Sequence, residues 1–211
     1  MRVTIPVVAA LTGTAFAAPK IPFVTSTSVV QLGNTNTAAI SARQSAQQAC
    51  FVIGSQTLPQ ETADVADDLA SNVTCSSSQT TIAGVPDVTS GSTTFSSIDF
   101  SQSSQTPLQF ALSKFATANP LASTDLATFQ DMLNVYQATE AGIRSVGGSL
   151  AIKVPKFFLE MQVSRIQTGQ GNPPTAAGLQ VDHLRDKVLK NAPKEAQNLL
   201  DQVTQLATQL N

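Results

Sequence analysis

Residues 123–148 read STDLATFQDMLNVYQATEAGIRSVGG, and the fold class turns on how this stretch is read. Leu126, Phe129, Leu133, Tyr136, Glu140 and Ile143 recur at steps of three and four, the spacing that lines one face of an α-helix. Ser123-Thr124-Asp125 supplies capping side chains ahead of the run, and Gly147-Gly148 stops it.

The same period continues on either side. Thr106 caps a shorter helix with Pro107 at its first position, followed by Leu108, Ala111, Leu112 and Phe115 on one face and ended by Asn119-Pro120. Pro155 to Ile166 carries Phe158, Leu159, Val163 and Ile166, and residues 169–174 break it. Val181, Leu184 and Val188 mark the next helix, and Pro193 opens a last one with Ala196, Leu200, Val203, Leu206 and Leu210. Upstream, the Ala- and Gln-rich Thr37–Cys50 and the run Pro59–Asn72, with Ala63, Ala66, Leu69, Ala70 and Val73 on one face, complete the set. Between them and the later helices, residues 76–106 hold 16 Ser or Thr in 31 positions and no Lys or Arg. Such a segment reads as a loop, naked or bearing O-linked glycans, with Ile98–Ser101 as a short strand-like piece. The predicted fold is all-α: an antiparallel helical bundle of about six to seven helices with a Ser/Thr-rich loop and one disulfide.

The cysteines constrain the path. Cys50 and Cys75 are the only two, and they are expected to pair in an oxidising compartment. A helix over 59–72 is about 20 Å long, whereas bonded cysteines need Cα atoms within about 7 Å. Cys75 therefore reaches Cys50 only if residues 51–58 return along that helix in extended form, with the preceding helix stopping near Cys50.

The N-terminus points to the same compartment. Met1-Arg2, the apolar run Val3–Leu11 and the small residues of Ala15-Phe16-Ala17 compose a secretory leader cut after Ala17. The expected organisation is a leader at 1–17, an extended arm at 18–36 and one helical domain at 37–211 with the insert 76–106. No later run approaches the length of a membrane span, and the polar end 205–211 lacks the tail of a lipid anchor. Asn72-Val73-Thr74 is an N-glycosylation sequon.

Composition narrows the chemistry. Charged residues are 12% of the 211, where about a quarter is usual. The formal charge of −2 does not supply the footprint of a nucleic-acid or polybasic membrane binder. A single histidine, His183, excludes sites built on two, and its neighbours offer no nucleophile; it reads as a helix surface residue. Asp64, Asp67 and Asp68 read as a solvated helix face rather than a Ca²⁺ site, because no EF-hand spacing is present. No Gly-x-Ser-x-Gly elbow or phosphate loop occurs, so no catalytic, cofactor or metal residue is assigned and an enzyme is the least supported class. The aromatic inventory offers one site: Phe110, Phe129, Leu133, Tyr136 and Phe158 are the candidate lining of an apolar pocket inside the bundle, against the plainer reading of a solid core.

The run Leu184–Leu210, with Val188-Leu189-Lys190-Asn191-Ala192-Pro193 leading into an Ala/Leu/Gln-rich final helix, resembles the end of fungal cell-wall galactomannoproteins and hydrophobic-surface-binding proteins. More loosely, the chain is similar to fungal small secreted proteins, a group that includes candidate effectors. The resemblance implies secretion, helices and contact with lipids or apolar surfaces, and carries no functional residues. Three readings follow: a non-enzymatic cell-wall or extracellular protein acting by surface or partner binding, a carrier of a lipid or small apolar ligand, and a host-directed effector.

Overall fold

Thr106 and Asp125 begin the helices that the sequence marks for them. Thr106 Oγ1 accepts from the Gln109 amide at 3.3 Å with Pro107 at the first helical position, and Asp125 accepts from the Ala127 amide at 3.1 Å. The computed structural model describes residues 49–211. In order it contains α1 (Gln60–Leu69), β1 (Thr74–Thr80), β2 (Pro86–Ser90), β3 (Thr93–Thr94), α2 (Pro107–Lys114), α3 (Leu126–Ser145), α4 (Lys153–Gly169), α5 (Val181–Asn191) and α6 (Gln197–Thr208). The expected leader, arm and all but the last two residues of the helix expected over 37–50 lie outside the described residues.

The all-α expectation is overturned by residues 74–94. There β1, β2 and β3 form an antiparallel sheet in that order, with Thr74 opposite Thr89, Cys75 opposite Val88 and Thr89 opposite Thr94. The fold is therefore mixed α and β. β1 is an edge strand of sequence TCSSSQT that buries none of its side chains fully, so no apolar alternation was needed to form it. Its ladder with β2 satisfies the backbone, and Thr suits a pleated edge. The insert also buries more than its composition suggests: Val85, Val88, Phe95, Ile98 and Phe100 are all in the core. Where a strand-like Ile98–Ser101 was expected, two 3₁₀ turns occur, Phe95–Ile98 and Phe100–Gln102. Asp87 accepts from Ser96 N at 2.9 Å and Ser96 Oγ at 2.6 Å, and Asp99 accepts from Ser101 N at 2.8 Å, so local carboxylates hold these turns.

α3 and α4 form the centre. α1 and the sheet pack on α3, α2 and α5 pack on α4, and α6 closes over α5 and α2. α4 begins at Lys153 rather than Pro155, which the first turn tolerates because its amides lack intrahelical partners. α6 begins at Gln197 rather than Pro193. The intervening Glu195 turns its carboxylate onto the start of α2, accepting from Thr106 Oγ1 and from Leu108 N at 3.0 Å.

Cys50 and Cys75 are bonded, their Cα atoms 6.1 Å apart. Residues 51–58 return without helix, as the cysteine spacing requires. Phe51 is fully buried, and its carbonyl lies so close to α3 that a Cβ on Gly142 would stand 2.6 Å from it.

Candidate functional site

Polar residues inside α3 and α4 mark the unusual region. Gln137, Glu140 and Arg144 follow one another along α3 at steps of three and four, as do Lys153, Lys156 and Glu160 along α4. Because the two helices pack side by side, these rows meet. Arg144 donates to Glu140 Oε1 from Nε at 2.9 Å and from Nη2 at 2.7 Å. Lys156 Nζ lies 2.9 Å from Glu140 Oε2 and 3.5 Å from Glu160 Oε1, bridging the two carboxylates. Gln137 Nε2 donates to Glu160 Oε1 at 3.4 Å, and Gln137 Oε1 is buried without a partner among the described residues.

The environments of the two carboxyls diverge. Burial pushes Glu160 above the usual carboxylate range, with the charge of Glu140 adding to it against the opposing pull of Lys156. Burial also opposes ionisation of Glu140, but Lys156 and Arg144 overcome it and hold that carboxyl below the usual range. Lys156 is itself penalised by burial, yet Glu160 and Glu140 keep its ammonium above its ordinary value.

This cluster floors a groove of about 760 Å³ between α1, α3, α4 and α5. Phe157, Lys153, Lys187 and the exposed His183 stand along it, with Glu61 and Asp186 among the opposing charges. A second cleft of about 280 Å³ adjoins it, with Leu69, Leu133, Val163, Leu179 and Leu184 as its apolar wall. Its polar side carries a chain in which Asn134 Nδ2 donates to Ser90 Oγ at 3.1 Å and Ser90 Oγ donates to Asp131 Oδ1 at 2.8 Å. Glu160, Leu179 and Leu184 line both spaces, so the charged groove and the apolar cleft adjoin at these three side chains and together make up a trough with a charged part and an apolar part.

The aromatic pocket expected from sequence is placed differently. Phe110, Phe129, Tyr136 and Phe158 are buried side chains of the core, and of the five candidates Leu133 lines the apolar cleft. Tyr136 has ring centroids of Phe95, Phe115 and Phe100 at 5.1, 5.7 and 6.5 Å, and its hydroxyl donates to Ile98 O at 2.7 Å. Burial pushes that phenol far above its ordinary value, with the charge of Asp99 adding. Asn72 is exposed just after α1, where its Nδ2 donates to Asp68 O at 3.2 Å, and it borders the apolar cleft.

Of the groove's titratable residues, His183 reads from sequence as a helix surface residue, and the charged rows of α3 and α4 are not marked there as a site. Glu140 falls within the apolar row of the central helix, and a charge on a buried stripe is one signal of the cluster. The spacings Glu140–Arg144 and Lys156–Glu160, each four apart, are a second. Among the described residues no helix is long and apolar enough to cross a membrane, and no three His, Cys, Asp or Glu side chains are placed to hold a metal ion.

No curated protein and no solved structure matches this chain. A family model described as a domain of unknown function, DUF7143, matches residues 52–211, which takes in the sheet, all six helices and both clefts. The chain belongs to the DUF7143 family.

Proposed function

We propose that this is a secreted, non-enzymatic protein of the extracellular space or cell wall, and that it acts by binding a small ligand in the trough between α1, α3, α4 and α5. The observation that carries the reading is the sharing of Glu160, Leu179 and Leu184 by the charged groove and the apolar cleft. Small-molecule sites are concave, largely apolar and equipped with a few convergent polar groups, and their volumes run from about 300 to 1,000 Å³. The leader-like residues 1–17 and the Cys50–Cys75 bond support an oxidising destination. Within this reading the ligand sits between helices at the surface, not among the core aromatics.

A fragment library screened by amide chemical-shift mapping tests it, using the full chain secreted by a eukaryotic host. The expected result is shifts gathered at Leu179, Leu184, Val163 and Phe157. Shifts gathered elsewhere, or loss of the folded protein onto hydrophobic beads without any fragment binding, overturn the groove and favour an apolar surface as the partner.

A further inference from the structure

Phe157 is half-buried at the wall of the groove, and three ammonium groups stand around its ring. Lys156 Nζ lies 4.1 Å from the ring centroid, Lys187 Nζ 5.7 Å and Lys153 Nζ 5.8 Å. Lys156 is committed to Glu140 and Glu160, and Arg144 to Glu140. Lys153 and Lys187 have no carboxylate within 4.0 Å among the described residues. They come from different helices, α4 and α5, so the packing of those helices brings two ammoniums without a direct carboxylate contact to one aromatic ring.

An aromatic face attracts a cation weakly, by about 0.5–1 kcal/mol at an exposed site. One ring does not neutralise three ammoniums. The groove is lined by five cations, Arg144, Lys153, Lys156, Lys187 and Lys190, against the four carboxylates Glu61, Glu140, Glu160 and Asp186. It is thus a locally positive surface on a chain of formal charge −2. Lys153 registers the crowding: burial first, and then the positive charge of Arg144, hold its ammonium below the ordinary range against the opposing pull of Glu140, with Lys156 and Lys187 adding to the lowering.

We infer that Lys153 and Lys187, whose ammoniums lie 5.8 and 5.7 Å from the Phe157 ring centroid, form the binding site for the anionic group of a small organic ligand whose apolar frame lies on Phe157 and along the trough. The shared chemistry is a carboxylate, sulfate or sulfonate, or phosphate ester on an apolar body. Two flexible ammoniums supply charge without a fixed fork, which suits any of these anions. The inference rests on the trough being the binding element and adds the charge of what it takes.

Three probes separate frame from charge: 2-naphthalenesulfonate, 2-naphthol and inorganic sulfate, titrated into the full secreted chain by calorimetry and amide shift mapping. The sulfonate is expected to bind at Phe157 and Lys187 at least tenfold more tightly than 2-naphthol or sulfate. The double variant K153Q/K187Q is expected to lose at least tenfold in sulfonate affinity with its melting temperature unchanged, and K153R/K187R to restore binding. Equal binding of sulfonate and 2-naphthol in the trough overturns the anion site and leaves the trough as the binding element. Sulfate binding as tightly as the sulfonate overturns the role given to the frame. Unchanged sulfonate affinity in K153Q/K187Q overturns the assignment to these lysines, and failure of every probe to reach the trough overturns both readings together.

Discussion

The Gly54 amide donates to Ser145 Oγ at 2.9 Å, and a Cβ on Gly54 would stand 2.0 Å from the Ser145 carbonyl oxygen. The same carbonyl accepts from Gln56 N at 2.9 Å, so the return path from Cys50 is pinned to the last turn of α3 by one backbone bond and one to the Ser145 hydroxyl, and the close approach at Gly54 is backbone against backbone. Neither side can yield as a flexible side chain would. Gly54→Ala is expected to lower stability by about 3 kcal/mol or more, measured by urea unfolding. Ser145→Ala, which removes only the hydroxyl, is expected to cost about 1–2 kcal/mol. Equal losses in the two variants would show that the close approach is not what matters.

The Cys50–Cys75 bond closes a loop of sequence separation 25. On the chain-entropy account such a loop stabilises the fold by about 3.5 kcal/mol. Replacing both cysteines with Ser should lower the urea midpoint accordingly. A midpoint within error of the parent protein would mean that the return path is held without the bond.

The two buried glutamates should respond oppositely to pH. Glu160 titrates higher in the folded chain than in the unfolded one, so it favours folding below about pH 4.3 and that contribution fades as pH rises through its folded value. Glu140 titrates lower when folded, so its contribution is present above about pH 4.3 and fades as pH falls. Glu160→Gln should therefore gain on the parent protein as pH rises, whereas Glu140→Gln should lose about 3 kcal/mol near neutrality by leaving Arg144 without its carboxylate and Lys156 with Glu160 alone. Urea unfolding across the acid to neutral range checks this, and parallel pH profiles for the two variants would contradict it.

Arg165 anchors the C-terminus. Its guanidinium is buried, donates to Gln162 Oε1 and, at 2.8 Å, to Gln209 O, and has no carboxylate partner among the described residues. Arg165→Ala should cost about 3 kcal/mol and speed amide exchange across α6. Arg165→Met, which keeps most of the volume, should restore part of the stability but not the protection of α6. Unchanged exchange in α6 would remove Gln209 from the account.

Asn72 is exposed beside the apolar cleft, and Thr74 completes its sequon at the start of β1. Secretion from a eukaryotic host should add a glycan that endoglycosidase removes and that Asn72→Gln never acquires. Mass spectrometry reads this directly, and an unmodified parent protein would count against it.

Helices were legible because their signals are local. Thr106-Pro107, Asp125 and the row from Leu126 to Ile143 each state a start or a face within a few residues. The path of 51–58 was legible from a distance constraint between Cys50 and Cys75. The sheet was not, since β1 is an exposed edge whose ladder lies in backbone atoms that side-chain pattern does not report. The groove was hidden for a related reason: Glu140 and Glu160 become a pair only when α3 and α4 pack and Lys156 comes between them. The aromatics were rightly placed on apolar faces, but whether such a face borders a void depends on what fills it. Here Phe95 and Phe100, from the segment read as loop, fill the space around Tyr136.

That arrangement gives the molecule a built-in optical reporter. The chain has one tyrosine and no tryptophan, so its tyrosine-band signal, at longer wavelength than the bands of its ten phenylalanines, comes from a single ring. The ring is fully buried, touches aromatics from both the insert and α2–α3 regions, and donates its hydroxyl to the insert's backbone. Detachment of residues 95–100 from the helices would therefore change the ellipticity and emission of Tyr136 while leaving helix content intact. Docking of the Ser/Thr-rich segment can be followed in the native, unlabelled protein, separately from the folding of everything it docks against.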